Sequence, residues 1–138
     1  MHRRSWIKTA LLGLGGAALA RSSLVPAQAR ASDMIVLYCD LAVKPGREKE
    51  LLEVMDKTFR PAAQRFKGFI DLKLLKYDHR VQGDPLPGSI NYRFQLTYES
   101  LALQQLWVNS ATHKKLWPLI AATLDNPETF QVLVLRNT

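Results

Sequence analysis

The order of apolar repeats between residues 34 and 135 restricts the fold more than any other feature of the chain. Segment 90–98 alternates strictly, with polar residues on one face and Ile90, Tyr92, Phe94, Leu96 and Tyr98 on the other. Such alternation is typical of a strand that has one face in the core. Segments 34–43, 69–77 and 130–135 are also rich in strand-forming residues. We therefore predict four strands.

Helical spacing separates the first strand from the second and the third from the fourth. Within 47–66, Leu51, Met55 and Phe59 recur at helical spacing, and Pro61 predicts a kink or a break because it has no amide hydrogen. Two serines, Ser100 and Ser110, are placed to cap two further helices. The inward side chains of the first of these are predicted to be Leu103, Leu106 and Trp107.

This βαββαβ order is that of the ferredoxin-like α+β fold, in which a four-stranded antiparallel sheet carries its helices on one face. The second face is not polar enough to stand in water, since Val36, Tyr38 and Ala42 lie on it with only Asp40 between them. An exposed apolar patch of this kind marks an interface. We therefore expect a homodimer, packed sheet to sheet.

The first 31 residues have the three parts of a signal peptide. Arg3, Arg4 and Lys8 form a basic start, a twelve-residue apolar run spans 9–20, and small residues suited to cleavage follow near Ala29 and Ala31. The Arg3-Arg4 pair and its neighbours resemble a twin-arginine signal. We expect 1–31 to be the signal and 32–138 one domain that is periplasmic or secreted. The alternative reading of 1–31 is a basic amphipathic anchor or an uncleaved span.

Most of the positive charge of the chain lies in this segment. The 138 residues include 19 Lys and Arg against 12 Asp and Glu, a net charge of +7, and five of the basic residues but no acidic one precede Ala31. Cleavage leaves 14 basic and 12 acidic residues, a net charge of +2. Neither nucleic acid nor, after cleavage, a membrane is therefore an expected partner.

Sequence motifs for the common cofactors are absent. The sequence has no glycine-rich nucleotide motif, no nucleophile elbow and no zinc-like spacing of His, Cys, Asp and Glu. The single cysteine, Cys39, lies among apolar residues on a predicted strand, which is typical of a small buried side chain. We expect neither a metal nor an organic cofactor.

Three segments of the predicted domain together resemble the antibiotic biosynthesis monooxygenase family of dimeric α/β barrels. They are VKPGREKELLE after the first strand, FKGFIDLKLLK across the second, and FQLTYES followed by LALQQLWVNSATHKKL. The last contains the spaced Trp107, Ser110 and His113, whereas Tyr98 departs from the tryptophan most common in the family. The resemblance implies that O2 oxygenates quinol- or polyphenol-like molecules, without a cofactor, in an apolar pocket between sheet and helices.

A haem-degrading branch of the same family fits this sequence poorly. That branch uses an asparagine on the first strand, a tryptophan before the serine, and a histidine seven residues after the serine as the iron ligand. This sequence has Cys39, Trp107 and Trp117 at those places. Because only the tryptophan is retained, haem degradation is not expected.

The resemblance and the residue types together nominate a set of site residues. His113 is the candidate general base, since its pKa range suits proton transfer near neutral pH; its alternative role is to cover the start of the helix capped by Ser110. Tyr38 and Arg93 are candidates for a phenol hydrogen bond and for anion stabilisation, and a solvated face explains Arg93 equally well. The candidate substrate-binding aromatics, which a core role also explains, are Tyr92, Phe94, Tyr98, Trp107 and Trp117.

Two functions of different kinds stay open at this point. The first is a monooxygenase that acts on an aromatic small molecule. The second is a non-catalytic module on the same fold that binds a small aromatic ligand or an exported partner. The departure at Tyr98 and the lack of a compelling catalytic pair favour the second function.

Overall fold

Four antiparallel strands form one sheet in the structure, a computed structural model that describes residues 33–138. The strands are β1 (Ile35–Leu41), β2 (Phe69–Lys76), β3 (Tyr92–Tyr98) and β4 (Val132–Arg136), in the spatial order β2-β3-β1-β4. This arrangement confirms the ferredoxin-like α+β fold. The predicted signal peptide lies outside the described residues.

One continuous helical run connects β1 to β2. It consists of α1 (Glu48–Val54), a π-helical turn (Met55–Phe59) and α2 (Arg60–Gln64). The amide of Arg60 donates to the carbonyl of Met55, five residues earlier, directly before Pro61, which has no amide hydrogen. The irregularity predicted at Pro61 therefore takes the form of a π-helical turn, and no loop divides the helix.

Two helices connect β3 to β4, and a serine caps each of them. They are α3 (Leu101–Val108) and α4 (Ala111–Ala121). The Oγ of Ser100 accepts a hydrogen bond from the amide of Leu103 at 3.2 Å, and the Oγ of Ser110 accepts one from the amide of His113 at 3.1 Å. Both predicted caps are confirmed.

The inward face of α3 differs from the predicted one. Its buried residues are Gln104 and Trp107, three positions apart, whereas Leu106 is 61 % exposed. Because each residue turns about 100° around an α-helix, Leu106 lies about 200° from Gln104. The prediction that Leu106 faces inward is wrong, and a polar side chain takes part in the interior instead.

The helices cover one face of the sheet, here called the inner face. Its buried strand residues agree with the predicted alternation, and they are Ile35, Leu37, Cys39, Leu41, Leu72, Tyr92, Phe94, Leu96 and Tyr98. On β4 the inner positions are Val132 and Val134, which pair with Cys39 and Leu37 of β1. These two valines stay 48 % and 45 % exposed. The space beside β4 is therefore open.

The opposite, outer face of the sheet is more exposed. Val36 pairs with Leu135 and Tyr38 pairs with Leu133 across β1 and β4, so four apolar side chains adjoin on this half of the face. Leu133 and Leu135 are exposed. These four residues, Val36, Tyr38, Leu133 and Leu135, are called the outer apolar patch below.

Candidate functional site

A cavity of about 740 Å³, called the aromatic cavity below, lies between the inner face of the sheet and the helices α3 and α4. The size lies within the range of small-molecule sites. Its lining residues within the described part of the chain include no Asp, Glu, Lys or Arg. Its walls come from inner-face residues of β1, β3 and β4, from the π-helical turn and from the two capped helices.

His113 lies in the wall of this cavity among three aromatic rings. Its imidazole stacks on Trp117, with ring centroids 5.7 Å apart and an interplanar angle of 7°. It meets Trp107 edge-on at 5.2 Å and Phe59 at 5.8 Å. The cap at Ser110 explains this position, since it places residue 113 in the first turn of α4 and residue 117 one turn later on the same face.

The electrostatic state of His113 follows from its burial. Burial lowers the pKa of His113 below its ordinary value of 6.5 because the charged imidazolium loses water. Among residues 33–138 no side chain makes a hydrogen bond to the imidazole nitrogens. The ring is therefore neutral at pH 7, and one nitrogen is free to accept a proton.

Phe59 is the aromatic residue that joins these rings. It meets Phe94 at 5.8 Å, Trp107 at 5.6 Å and Trp117 at 6.1 Å. The sequence predicts it only as a helical core residue. Its helical spacing and the nearby Pro61 were the available signals, but neither specifies the π-helical turn that carries its ring to the cavity.

The polar side chains of the cavity belong to α3, the residue that follows it and the start of α4. They are Gln104, Gln105, Asn109 and His113. Gln104 is only 6 % exposed, and sequence reasoning did not nominate it. One of two adjacent glutamines on a helix carries no recognisable signal of burial in a single sequence.

Four of the predicted site residues meet in the aromatic cavity. They are Phe94, Trp107, His113 and Trp117. The capping role that was the alternative for residue 113 is also present, but it uses the backbone amide. The imidazole is thus left free to face the cavity.

Tyr92 and Tyr98 lie on the inner face but do not line the aromatic cavity. The hydroxyl of Tyr92 donates to Oε2 of Glu48 at 2.7 Å, and burial, followed by this carboxylate, raises the pKa of Tyr92 to about 12. The hydroxyl of Tyr98 is buried without a hydrogen-bond partner among the described residues. Burial raises the pKa of Tyr98 to about 12, and its ring packs against Phe69.

Tyr38 and Arg93 lie on the outer face. Arg93 donates to Oδ1 and Oδ2 of Asp40 at 2.7 and 3.1 Å, a pairing that raises the pKa of Arg93. Its guanidinium also lies 4.9 Å from the centroid of the Tyr38 ring. Neighbouring residues of a strand point to opposite faces, so Arg93 points away from Phe94. Tyr38 and Arg93, which were predicted to bind the substrate, therefore lie on the opposite face of the sheet from His113.

A second cavity, of about 520 Å³, lies under the loop 77–90 at the outer face. This loop contains glycines and prolines, and most of its residues are exposed. The lining of this second cavity includes the Asp40–Arg93 pair and Arg80. The two cavities are thus on opposite faces of the sheet.

Cys39 lines the aromatic cavity as a buried free thiol. Burial, and to a lesser extent Asp40, raises the pKa of Cys39 to about 12, so the thiol stays protonated. Residues 33–138 contain no group of three or more His, Cys, Asp and Glu side chains able to hold a metal ion. None of the helices in that part of the chain is long and apolar enough to cross a bilayer.

Comparison with known proteins identifies similar folds. No protein-family model matches the sequence, and no curated protein matches it. A protein from Bordetella bronchiseptica described as a candidate antibiotic biosynthesis monooxygenase is 19 % identical, with a TM-score of 0.60, over 77 % of this chain and 98 % of that one. A dimeric ferredoxin-like protein of unknown function from Jannaschia is 17 % identical, with a TM-score of 0.63, over 75 % and 99 %.

A third similar structure is SnoaB from Streptomyces nogalater, a cofactor-independent oxygenase. It is 13 % identical, with a TM-score of 0.58, over 77 % of this chain and 94 % of SnoaB. The similarity at these identities concerns the fold, which proteins of unrelated activity share. The function has to be argued from the cavity.

Proposed function

We propose that the chain is an oxygenase that binds a quinol- or polyphenol-like molecule in the aromatic cavity and oxidises it with O2, without a metal or organic cofactor. One observation carries the proposal: a neutral, half-buried His113 lies among Phe59, Trp107 and Trp117 in a cavity without charged side chains. Flat aromatic ligands suit such walls. The fold of a cofactor-independent oxygenase supports the same class.

The proposed reaction needs one proton acceptor and a dry cavity. The phenolic hydroxyl of the substrate gives its proton to the free imidazole nitrogen of His113, and the resulting phenolate is rich enough in electrons to reduce O2. For an anthrone, one oxygen atom becomes the new quinone carbonyl and the other leaves as water, so anthrone and O2 give anthraquinone and H2O. A substrate that fills the cavity displaces water from its aromatic walls, and this protects the phenolate from reprotonation.

Oxygen uptake by purified, metal-free protein with anthrone-like phenols tests this proposal. His113→Phe keeps a flat ring between the tryptophans but removes the base, and we expect a loss of about a hundredfold or more in kcat/KM. The matched control is His79→Phe, in the exposed loop 77–90, which should retain full activity. Equal turnover by wild type and His113→Phe across a panel of phenols would refute the proposal.

A non-catalytic binding module is the second candidate, and one observation favours it. Among the described residues no carboxylate or carbonyl orients the imidazole of His113 through a hydrogen bond, whereas general bases usually have such a partner. Measuring both the binding of an anthrone and the oxygen uptake that follows separates the two functions. Tight binding of an anthrone without any oxygen uptake would select the binding module.

The outer apolar patch supports the further proposal that the chain forms a homodimer, sheet to sheet. Val36, Tyr38, Leu133 and Leu135 adjoin on one face, and a two-fold interface must be complementary to itself. We expect wild type to elute as a dimer in light scattering and Leu133→Glu as a monomer. The control is Leu106→Glu, an exposed leucine on α3, which should stay dimeric. A monomeric wild type at low micromolar concentration would contradict the proposal.

Export from the cytoplasm is proposed from residues 1–31 alone. The twin arginines Arg3 and Arg4 support the twin-arginine route, which places the reaction in the periplasm or outside the cell. A fusion of residues 1–31 to a reporter tests this. Export of the double variant Arg3→Lys and Arg4→Lys at the wild-type level would exclude that route.

A further inference from the structure

Gln104 is a buried polar residue without a partner in the wall of the aromatic cavity. It is 6 % exposed and lies three residues before Trp107, so that the two side chains share one face of α3. Its backbone amide donates to the carbonyl of Ser100 at 3.1 Å. The side-chain amide, however, makes no hydrogen bond to any residue of 33–138.

The amide of Gln104 is not sealed inside the protein. Within 33–138 the hydroxyl of Tyr98 is the only fully buried side-chain nitrogen or oxygen without a partner, so the polar atoms of the Gln104 amide stay accessible from the cavity. Because Gln104 borders the cavity, a molecule bound there can supply the missing partner. A ligand that fills the cavity covers this amide and must offer it a hydrogen bond, because an amide that is buried without a partner is costly.

The other walls of the cavity define what kind of molecule fits. No cationic or anionic side chain lines it, and a carboxylate or phosphate buried without a counter-charge is strongly disfavoured. The rings of Phe59, Trp107 and Trp117 favour a flat aromatic body. The ligand is thus an uncharged ring system with an oxygen atom to meet the amide.

We propose that Gln104 is a specificity-determining residue that holds a neutral oxygen of a flat aromatic ligand. This inference rests on the proposed function, since it assigns the substrate class of the same cavity. An amide has an acceptor oxygen and two donor hydrogens. Its oxygen accepts from the hydroxyl of a phenol, and its nitrogen donates to the carbonyl of a quinone. One residue therefore serves both the substrate and its oxidised product.

Isothermal titration calorimetry of the full chain under nitrogen, with four aromatic probes, tests the inference. The probes are naphthalene, 2-naphthol, 9-fluorenone and 2-naphthoate. Gln104→Met keeps the length of the side chain. We expect it to lower the affinity for 2-naphthol and 9-fluorenone by about three- to tenfold and to leave the affinity for naphthalene unchanged. The control is Gln64→Met, an exposed helical glutamine outside the cavity, which should bind all four probes like wild type.

A second variant tests the donor and acceptor roles separately. Gln104→Glu has nearly the same shape but, when ionised, only accepts hydrogen bonds. At about pH 5 the introduced carboxyl group is protonated and can donate, so the variant should bind both 2-naphthol and 9-fluorenone. At about pH 8.5, where ionisation of the carboxyl group is favoured, it should still bind 2-naphthol but lose most of its affinity for 9-fluorenone. Wild type should bind 2-naphthoate at least tenfold more weakly than 2-naphthol. The inference would be overturned if Gln104→Met bound 2-naphthol and 9-fluorenone as tightly as wild type does. It would also be overturned if wild type bound 2-naphthoate tightly.

Stability separates this role from a structural one. Because the amide has no partner inside the fold, Gln104→Met should unfold in urea at the same concentration as wild type or at a higher one. A clear loss of stability would assign the amide to the fold and overturn the inference. If the Gln104 variants differ from wild type in probe affinity as expected, but wild type takes up no oxygen with any phenol, the proposed oxygenase is refuted and the role of Gln104 stands.

Discussion

Tyr98→Phe is expected to stabilise the protein, although it removes a hydroxyl from the most buried part of β3. The residue is 0 % exposed, and its hydroxyl has no hydrogen-bond partner within 33–138. An unmet buried polar group costs about 1–3 kcal/mol. Removing the oxygen leaves a small void, which offsets part of that gain. We expect a net stabilisation of about 1 kcal/mol, or about 4 °C in Tm for a domain of this size.

The same strand offers a matched control with the opposite expected sign. Tyr92 lies on the same face of β3, but its hydroxyl donates to Oε2 of Glu48 at 2.7 Å. Tyr92→Phe therefore removes a hydrogen bond that exists, and it should lower Tm. The two variants delete the same atom from the same residue type on one strand. Only the presence of a partner separates them.

Thermal unfolding followed by circular dichroism, together with urea unfolding, measures both variants. The reasoning is refuted if Tyr98→Phe destabilises the chain as much as Tyr92→Phe does. That outcome would mean that an ordered water or another group satisfies the Tyr98 hydroxyl. An unchanged slope of the urea transition would confirm that the difference lies in the folded state.

Three further predictions concern the described residues. Burial lowers the pKa of His113 in the folded chain, so the unfolded chain binds more protons than the folded one as the pH falls through this range. The free energy of unfolding, measured in urea, should therefore fall from about pH 7.5 to about pH 5.5. His113→Phe should reduce this loss. Gly68→Ala should unfold at a much lower urea concentration than Gly46→Ala, since both have positive φ but only the Gly68 Cβ would lie 2.8 Å from Leu103; equal losses would contradict the role of this contact. Cys39, buried with a pKa of about 12, should react with a thiol reagent only in the unfolded protein, and fast labelling of the native chain would show that the aromatic cavity is open to water.

The strands were predictable because alternation is a local property of the sequence. Every inner-face position of β1 and β3 within those strands was assigned correctly, since a period of two fixes the face once one residue is placed. The serine caps were equally local, because each involves a side chain and an amide three residues later. These features needed no knowledge of tertiary contacts.

The site residues could be predicted only where the sequence itself marked them, by residue type or by a recognisable motif. Trp107, His113 and Trp117 were nominated by the family resemblance together with their residue types, and they meet in the cavity. Phe59 and Gln104 were missed because their roles depend on a π-helical turn and on the rotation of α3 about its axis. Arg93 is the opposite case, because its residue type suggested anion stabilisation, whereas the alternation along β3 places it on the outer face, away from His113.

β4 links the two faces of the sheet and therefore the two proposals. Within residues 33–138 it is an edge strand that pairs only with β1. Its inner residues Val132 and Val134 line the aromatic cavity, whereas Leu133 and Leu135 belong to the outer apolar patch. A partner subunit on that patch would hold β4 in place and with it one wall of the cavity. Dissociation by Leu133→Glu should accordingly weaken binding of 2-naphthol, although residue 133 does not line the cavity, whereas Leu106→Glu should not.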